Sequence, residues 1–105
     1  MDCIIQSKNG IGGLFCGAIE AAHNVPLLKY HGITHVLTLS YELSKNIYFI
    51  LDVQYQPSDY IDHFVLECRD LAGFAISSMF LEAHKFIESS RSRGNVLVHC
   101  MAGIL

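Results

Sequence analysis

At 105 residues the chain is long enough for one small domain and too short for two. With 51% hydrophobic and 16% charged residues it carries too much apolar mass to stay disordered. A net charge of −3 with no Lys/Arg run excludes nucleic acid as a main partner, and no stretch reaches the ~18 to 20 apolar residues of a membrane span.

Residues 1–12, "MDCIIQSKNGIG", read as a flexible N-terminal segment. Asp2 and the lack of a long apolar core argue against a secretory signal, so a cytoplasmic location is expected. There the four cysteines, Cys3, Cys16, Cys68 and Cys100, stay reduced. They form no Cys-x-x-Cys pair, and His23, His31, His35, His63 and His84 show no metal-ligand spacing. Neither a disulfide framework nor a metal or other cofactor is expected. Mean hydropathy is +0.34, high for so short a chain, and fits a sheet buried on both faces or a chain that has lost part of its cover.

The domain proper spans 13–105. "GLFCG" (13–17) is an apolar stretch between glycines and reads as an edge strand. "NVPLLKYHG" (24–32) reads as a short helix, capped by Asn24, with Pro26 in the first turn and Gly32 as the stop. "ITHVLTLS" (33–40) is β-branched and apolar, a strand. "NIYFILDVQY" could be another, "QPSDYID" is a turn, and "HFVLEC" (63–68) is a further strand leading into a loop at "DLAG" (70–73). Ile76, Met79, Phe80, Ala83, Phe86 and Ile87 recur on one face of a helix over 76–90, with Glu82, Lys85 and Glu88 off that stripe. Arg91 and Arg93 suit the negative helix pole and Gly94 the stop. "NVLVHC" (95–100) carries an unbroken apolar run at Val96, Leu97 and Val98, as a buried parallel strand would.

Strand, helix and strand in this order predict an α/β fold with a central, mostly parallel sheet flanked by helices. In such sheets chemistry gathers at the carboxyl ends of the strands. Cys100 stands at such an end. A cysteine there is either a small buried hydrophobe or a nucleophile. Four acidic residues compete as proton donors: Asp52, Asp59, Asp62 and Asp70.

"VLVHC" followed by "MAG" resembles the His-Cys-x5-Arg signature of cysteine-dependent protein-tyrosine phosphatases, and most closely the dual-specificity branch. "GLFCGAIEAAHNVPLLKYHGITHVLTLS" and "MFLEAHKFIESSRSRGNVLVHC" are similar to segments of that family in order and spacing. The resemblance runs from about Gly13 to Ile104, with 41–62 matching loosely. It implies that Cys100 is a thiolate nucleophile forming a phosphocysteine, and that Met101, Ala102, Gly103, Ile104 and Leu105 belong to the phosphate-binding loop. Backbone N–H groups of such a loop form an anion nest, which also lowers a thiol pKa from ~8.5 toward roughly 3.5 to 7.5. Gly103 lets the loop take a positive φ. His99 orients the loop through hydrogen bonds. The family's general acid lies some thirty residues before the cysteine, which points to Asp70, directly after "HFVLEC". The partner implied is a phosphorylated protein.

The family arginine is the sixth residue after the cysteine, and five residues follow Cys100. Leu105 stands where the family commonly has Ser. As written, the chain therefore reads as a truncated catalytic domain, without the C-terminal helices of the fold and with an exposed apolar face. Losing the bidentate grip of that arginine removes about 3 to 6 kcal/mol, or about 10² to 10⁴ in rate. Two further readings stand beside the enzyme: a catalytically inactive phosphatase-like binding or scaffold module, and a redox-sensitive thiol protein acting through Cys100.

Overall fold

The computed structural model describes residues 1–41, 53–68 and 73–100, with side chains over 1–39, 53–66 and 80–99. Strand β1 is Asp2–Ile5 and β2 is Leu14–Gly17. Helices α1 (Ile19–His23) and α2 (Val25–Tyr30) follow, then β3 (Ile33–Tyr41). After a 3-10 turn at Pro57–Asp59 come β4 (Asp62–Cys68), α3 (Gly73–Arg91) and β5 (Asn95–Cys100). The five strands form one sheet in the order β1-β2-β5-β3-β4. β2, β5, β3 and β4 run parallel, and β1 is antiparallel on the outside of β2. The fold is the α/β class that the element order predicts. No helix among the described residues is long and apolar enough to cross a membrane.

Parallel strands need crossovers, and the crossovers place helices on both faces. On one face α1, α2 and the segment at Tyr55 cover β3 and β5, and the buried cluster there is Ala22, Leu28, Ile33, Val36, Val53 and Leu97. On the other face α3 packs on β3, β4 and β5, with the Phe86 ring against His35 and Phe64. Burying a Leu or Val side chain of these two cores contributes roughly 1.5 to 3 kcal/mol. Double coverage explains why β5 reads as a continuous apolar run: Val96 and Leu97 face opposite layers and both are fully buried.

The N-terminal segment differs from the sequence reading. Asp2–Ile5 pairs with β2, so β2 is flanked on both sides and β1 is the sheet edge. Asn9 and Gly10 both take positive φ, 53° and 81°, inside a Lys8–Ile11 bridge with reciprocal hydrogen bonds of 2.9 and 3.0 Å. Positive φ at both central residues of a two-residue turn is the type I′ pattern that Asn-Gly favours. Gly12 is held at the end of α3: its amide donates to the Arg91 carbonyl at 2.6 Å, and the Arg91 Nε donates to the Gly12 carbonyl at 2.9 Å. A Cβ on Gly12 would overlap the Gly94 carbonyl oxygen, so a close backbone crossing requires glycine here.

α2 forms as expected. The Asn24 side chain accepts from the Leu27 amide at 3.2 Å, Pro26 sits in the first turn, and Gly32 takes φ 68° just after it. α1 is a single turn whose cap, Ala18, makes no side-chain bond, which is why nothing in residues 18–23 announces it. α3 begins three residues before the expected start and ends one later, and Arg93 Nε reaches the Ser89 carbonyl of its last turn at 3.5 Å. Among the described residues of the apolar stripe Phe80 departs from it: it is 63% exposed, whereas Ala83, Phe86 and Ile87 are half-buried, and Ser90 beside them is fully buried. At about 100° per residue Phe80 lies on the flank of the stripe rather than at its centre, where Ala83 and Ser90 sit. The strand considered within "NIYFILDVQY" falls largely on residues 42–52, outside the described residues; Val53–Gln56 take no regular structure.

Candidate active site

Parallel strands put all their carboxyl ends on one side of the sheet. Cys100 pairs with Leu39 at that end, and Cys68, the last residue of β4, pairs with Tyr41 just beyond. β3 therefore lies between the strand that ends in Cys100 and the strand that ends two residues before Asp70. Asp70, the Cys100 side chain and the loop residues Met101, Ala102, Gly103, Ile104 and Leu105 lie outside the described residues, as does Asp52.

The other two acids are located elsewhere. Asp62 begins β4 and pairs across β3 with His35, which is level with Val96 of β5. That is four residues short of Cys100, about 13 Å along the strand. The Asp62 carboxylate lies 3.3 Å from His35 Nε2. Asp59 sits in the 3-10 turn and its carboxylate accepts from the Gln56 amide at 2.8 Å, closing a capping box. Both carboxylates serve the amino end of the sheet.

His99, expected beside the nucleophile, is fully buried on the face covered by α1 and α2. Its Nε2 shares a 2.7 Å hydrogen bond with the hydroxyl of Thr38, and the same hydroxyl lies 2.6 Å from His63 Nε2. The ring of His63 meets Tyr55 edge-on at 5.1 Å, and the Tyr55 hydroxyl donates to the Ala22 carbonyl at 2.7 Å. Burial, aided by the charge of Asp59, pushes the Tyr55 phenol up to about 12, so it remains a donor. The imidazole preceding Cys100 is thus held from beneath by three strands and a buttressing tyrosine. A side chain locked by such contacts positions its neighbours more sharply than one in a loop.

Sequence reading names His99 and passes over Thr38, Tyr55 and His63, the side chains found in the row beside it. In the sequence Thr38 and His99 are separated by 61 residues, and only the parallel register sets them side by side. The usable signal was polar residues at buried positions of strands, since such residues must find partners there. Of the other cysteines, Cys16 is half-buried in β2 and Cys3 is exposed on β1; the Cys68 side chain lies outside the described residues.

Comparison with known proteins finds relatives over most of the chain. The chain is 37% identical over 94 residues to "MAP kinase phosphatase with leucine-rich repeats protein 3" of Dictyostelium discoideum, covering 90% of the chain and 10% of that protein. It is 34% identical over 93 residues to "Dual specificity protein phosphatase 1B" of Arabidopsis thaliana, covering 88% of the chain and 50% of that protein. With "Dual specificity protein phosphatase 19" of Mus musculus it shares 33% over 92 residues, 87% of the chain and 37% of the relative. The chain thus spans between a tenth and half the length of these relatives. No family model matches it. Matches of this strength along nearly the whole chain, on an α/β sheet with a His-Cys pair closing a parallel strand, make the chain a homologue of the dual-specificity protein phosphatases.

Proposed function

We propose that this chain carries catalytic residues of a protein phosphatase that hydrolyses phosphotyrosine, and phosphoserine or phosphothreonine, through a phosphocysteine. The observation that carries the reading is the position of Cys100: it closes a parallel strand, directly after a buried and hydrogen-bonded His99. Successive backbone amides turning away from that strand end would bind the phosphate oxygens and stabilise a thiolate. Met101, Ala102, Gly103, Ile104 and Leu105 supply those amides.

The Cys100 sulfur attacks phosphorus, forming an S–P bond as the ester P–O bond breaks. Asp70 delivers a proton to the leaving oxygen. Water then attacks the phosphocysteine, Asp70 takes up its proton, and the thiolate departs with inorganic phosphate released. His99 holds the loop rather than exchanging protons with substrate. Asp70 is favoured over Asp59 and Asp62 because those two carboxylates are engaged at the sheet's amino end.

The test is hydrolysis of p-nitrophenyl phosphate and of a phosphotyrosine peptide by the chain, beside its Cys100→Ser variant. Turnover that disappears with Cys100→Ser, together with trapping of phosphate on Cys100 by acid quench, supports the enzyme. Saturable binding of phosphopeptide with no release of phosphate would instead favour a phosphatase-like binding module.

A further inference from the structure

Three adjacent strands each place one polar side chain on the same sheet face. His63 of β4, Thr38 of β3 and His99 of β5 stand in a row, and the Thr38 hydroxyl contacts both imidazoles, at 2.6 and 2.7 Å. Thr38 is 1% exposed and His99 fully buried, while His63 is half-buried on the outermost strand.

A threonine hydroxyl carries one proton and two lone pairs. When it donates that proton to one imidazole Nε2, that nitrogen must be bare. The other Nε2 must then carry a proton and donate it to the hydroxyl oxygen. The protonation patterns of the two rings are therefore linked through a single O–H. Two Nε2–H groups converging on the oxygen would strand the hydroxyl proton in a strand whose neighbours on both sides already pair with its backbone.

We propose that His63, acting through Thr38, sets the tautomer and ring orientation of His99, and thereby the reactivity of the Cys100 thiol that follows it. Thr38 and His63 are then positioning residues. The coupling of tautomers stands on the geometry alone; its effect on Cys100 rests on the reading of Cys100 as the nucleophile. Tyr55 belongs to the same device, since its ring fixes the plane of His63 and its hydroxyl is anchored on Ala22.

The experiment uses the 105-residue chain with ¹⁵N-labelled histidine. Long-range ¹H–¹⁵N spectra report which nitrogen of each ring is protonated, and His99 is assigned by substitution. His63→Phe keeps a ring against Tyr55 and removes both nitrogens; Thr38→Val keeps the shape and removes the hydroxyl; Thr38→Ser restores it. His63→Phe and Thr38→Val shift the His99 tautomer ratio by about two- to tenfold, the scale of one neutral hydrogen bond, and Thr38→Ser leaves it as in the parent. Iodoacetamide alkylation of Cys100, read by peptide mass spectrometry apart from Cys3, Cys16 and Cys68, changes by a similar factor in the same two variants and not in Thr38→Ser. Backbone amide spectra check the fold of each variant. Should Thr38→Val fail to fold, His63→Phe on the edge strand carries the test.

Unchanged His99 nitrogen shifts in a folded His63→Phe chain would overturn the coupling. A shifted tautomer with unchanged Cys100 alkylation would overturn its link to the thiol. Loss of the phosphatase reading is a separate result: no turnover, with both readouts still responding, leaves the coupling standing.

Discussion

The carboxamide oxygen of Asn95 accepts a 2.6 Å hydrogen bond from the amide of Gly13, and its nitrogen donates to the Gly32 carbonyl at 3.0 Å. One side chain thereby ties the start of β5 to the start of β2 and to the turn between α2 and β3. Asn95→Ala leaves both backbone groups without this partner and costs about 1 to 3 kcal/mol. Asn95→Asp keeps the acceptor and loses the donor, so it falls between the two. Urea denaturation of the three proteins checks the order.

Thr38 satisfies two imidazoles from one hydroxyl. Thr38→Val should destabilise the fold by about 1 to 3 kcal/mol, because a buried ring nitrogen of His99 loses its bond. Thr38→Ser should cost less than half as much. Equal loss in the two variants would show that packing of the methyl group, and not the hydroxyl, matters at this site. Denaturant midpoints at constant slope decide the matter.

His35 titrates below its ordinary range. Burial lowers its pKa, the Asp62 carboxylate opposes that shift, and Arg93 adds to it. The folded state therefore prefers the neutral ring, and the unfolded chain takes up the proton more readily. The contribution of His35 to stability is full above the unfolded pKa of about 6.5 and declines as pH falls below it. His35→Leu should flatten the slope of stability between pH 7 and pH 5. Asp62→Asn removes the opposing charge and should steepen it. Thermal melts across that window separate the three slopes.

The backbone of Gly12 crosses that of Gly94 too closely for a Cβ. Gly12→Ala should force the N-terminal segment away from the end of α3 and cost about 1 to 3 kcal/mol. Its reporters are the Gly12 and Arg91 backbone bonds, so faster amide exchange at Gly12 accompanies the loss. Exchange at Leu97, in the centre of the sheet, should slow or quicken only with global stability.

Asp70→Asn should reduce any hydrolysis of p-nitrophenyl phosphate by about 10² to 10⁴ if this carboxyl donates the proton. Asp59→Asn should leave turnover unchanged and instead loosen the turn that it caps at Gln56. Initial rates for both variants make the comparison, with Cys100→Ser as the zero.

The elements that the sequence announces are those with local causes. Asn24, Pro26 and Gly32 delimit α2, the spacing of Ala83, Phe86 and Ile87 marks α3, and the unbroken apolar run of β5 marks a strand covered on both faces. The Asn-Gly turn at 9–10 lies in a segment that reads as flexible from the sequence; what orders that segment is pairing with β2 and contact with the end of α3, where Gly12 and Arg91 are 79 residues apart. Phe80 fits the helical period and still faces solvent, because period alone does not say how wide a stripe the sheet can cover.

By itself the sequence determined the α/β class and the elements with local caps and periods, because these follow from residue type and short spacing; His99 and Cys100 were nominated by the resemblance of their motif to the phosphatase signature. Tertiary structure decided the strand order, the engagement of Asp59 and Asp62 far from the carboxyl end, and the His63–Thr38–His99 row. Those depend on register between strands 25 and 61 residues apart, where a shift of one residue would turn each side chain to the opposite face.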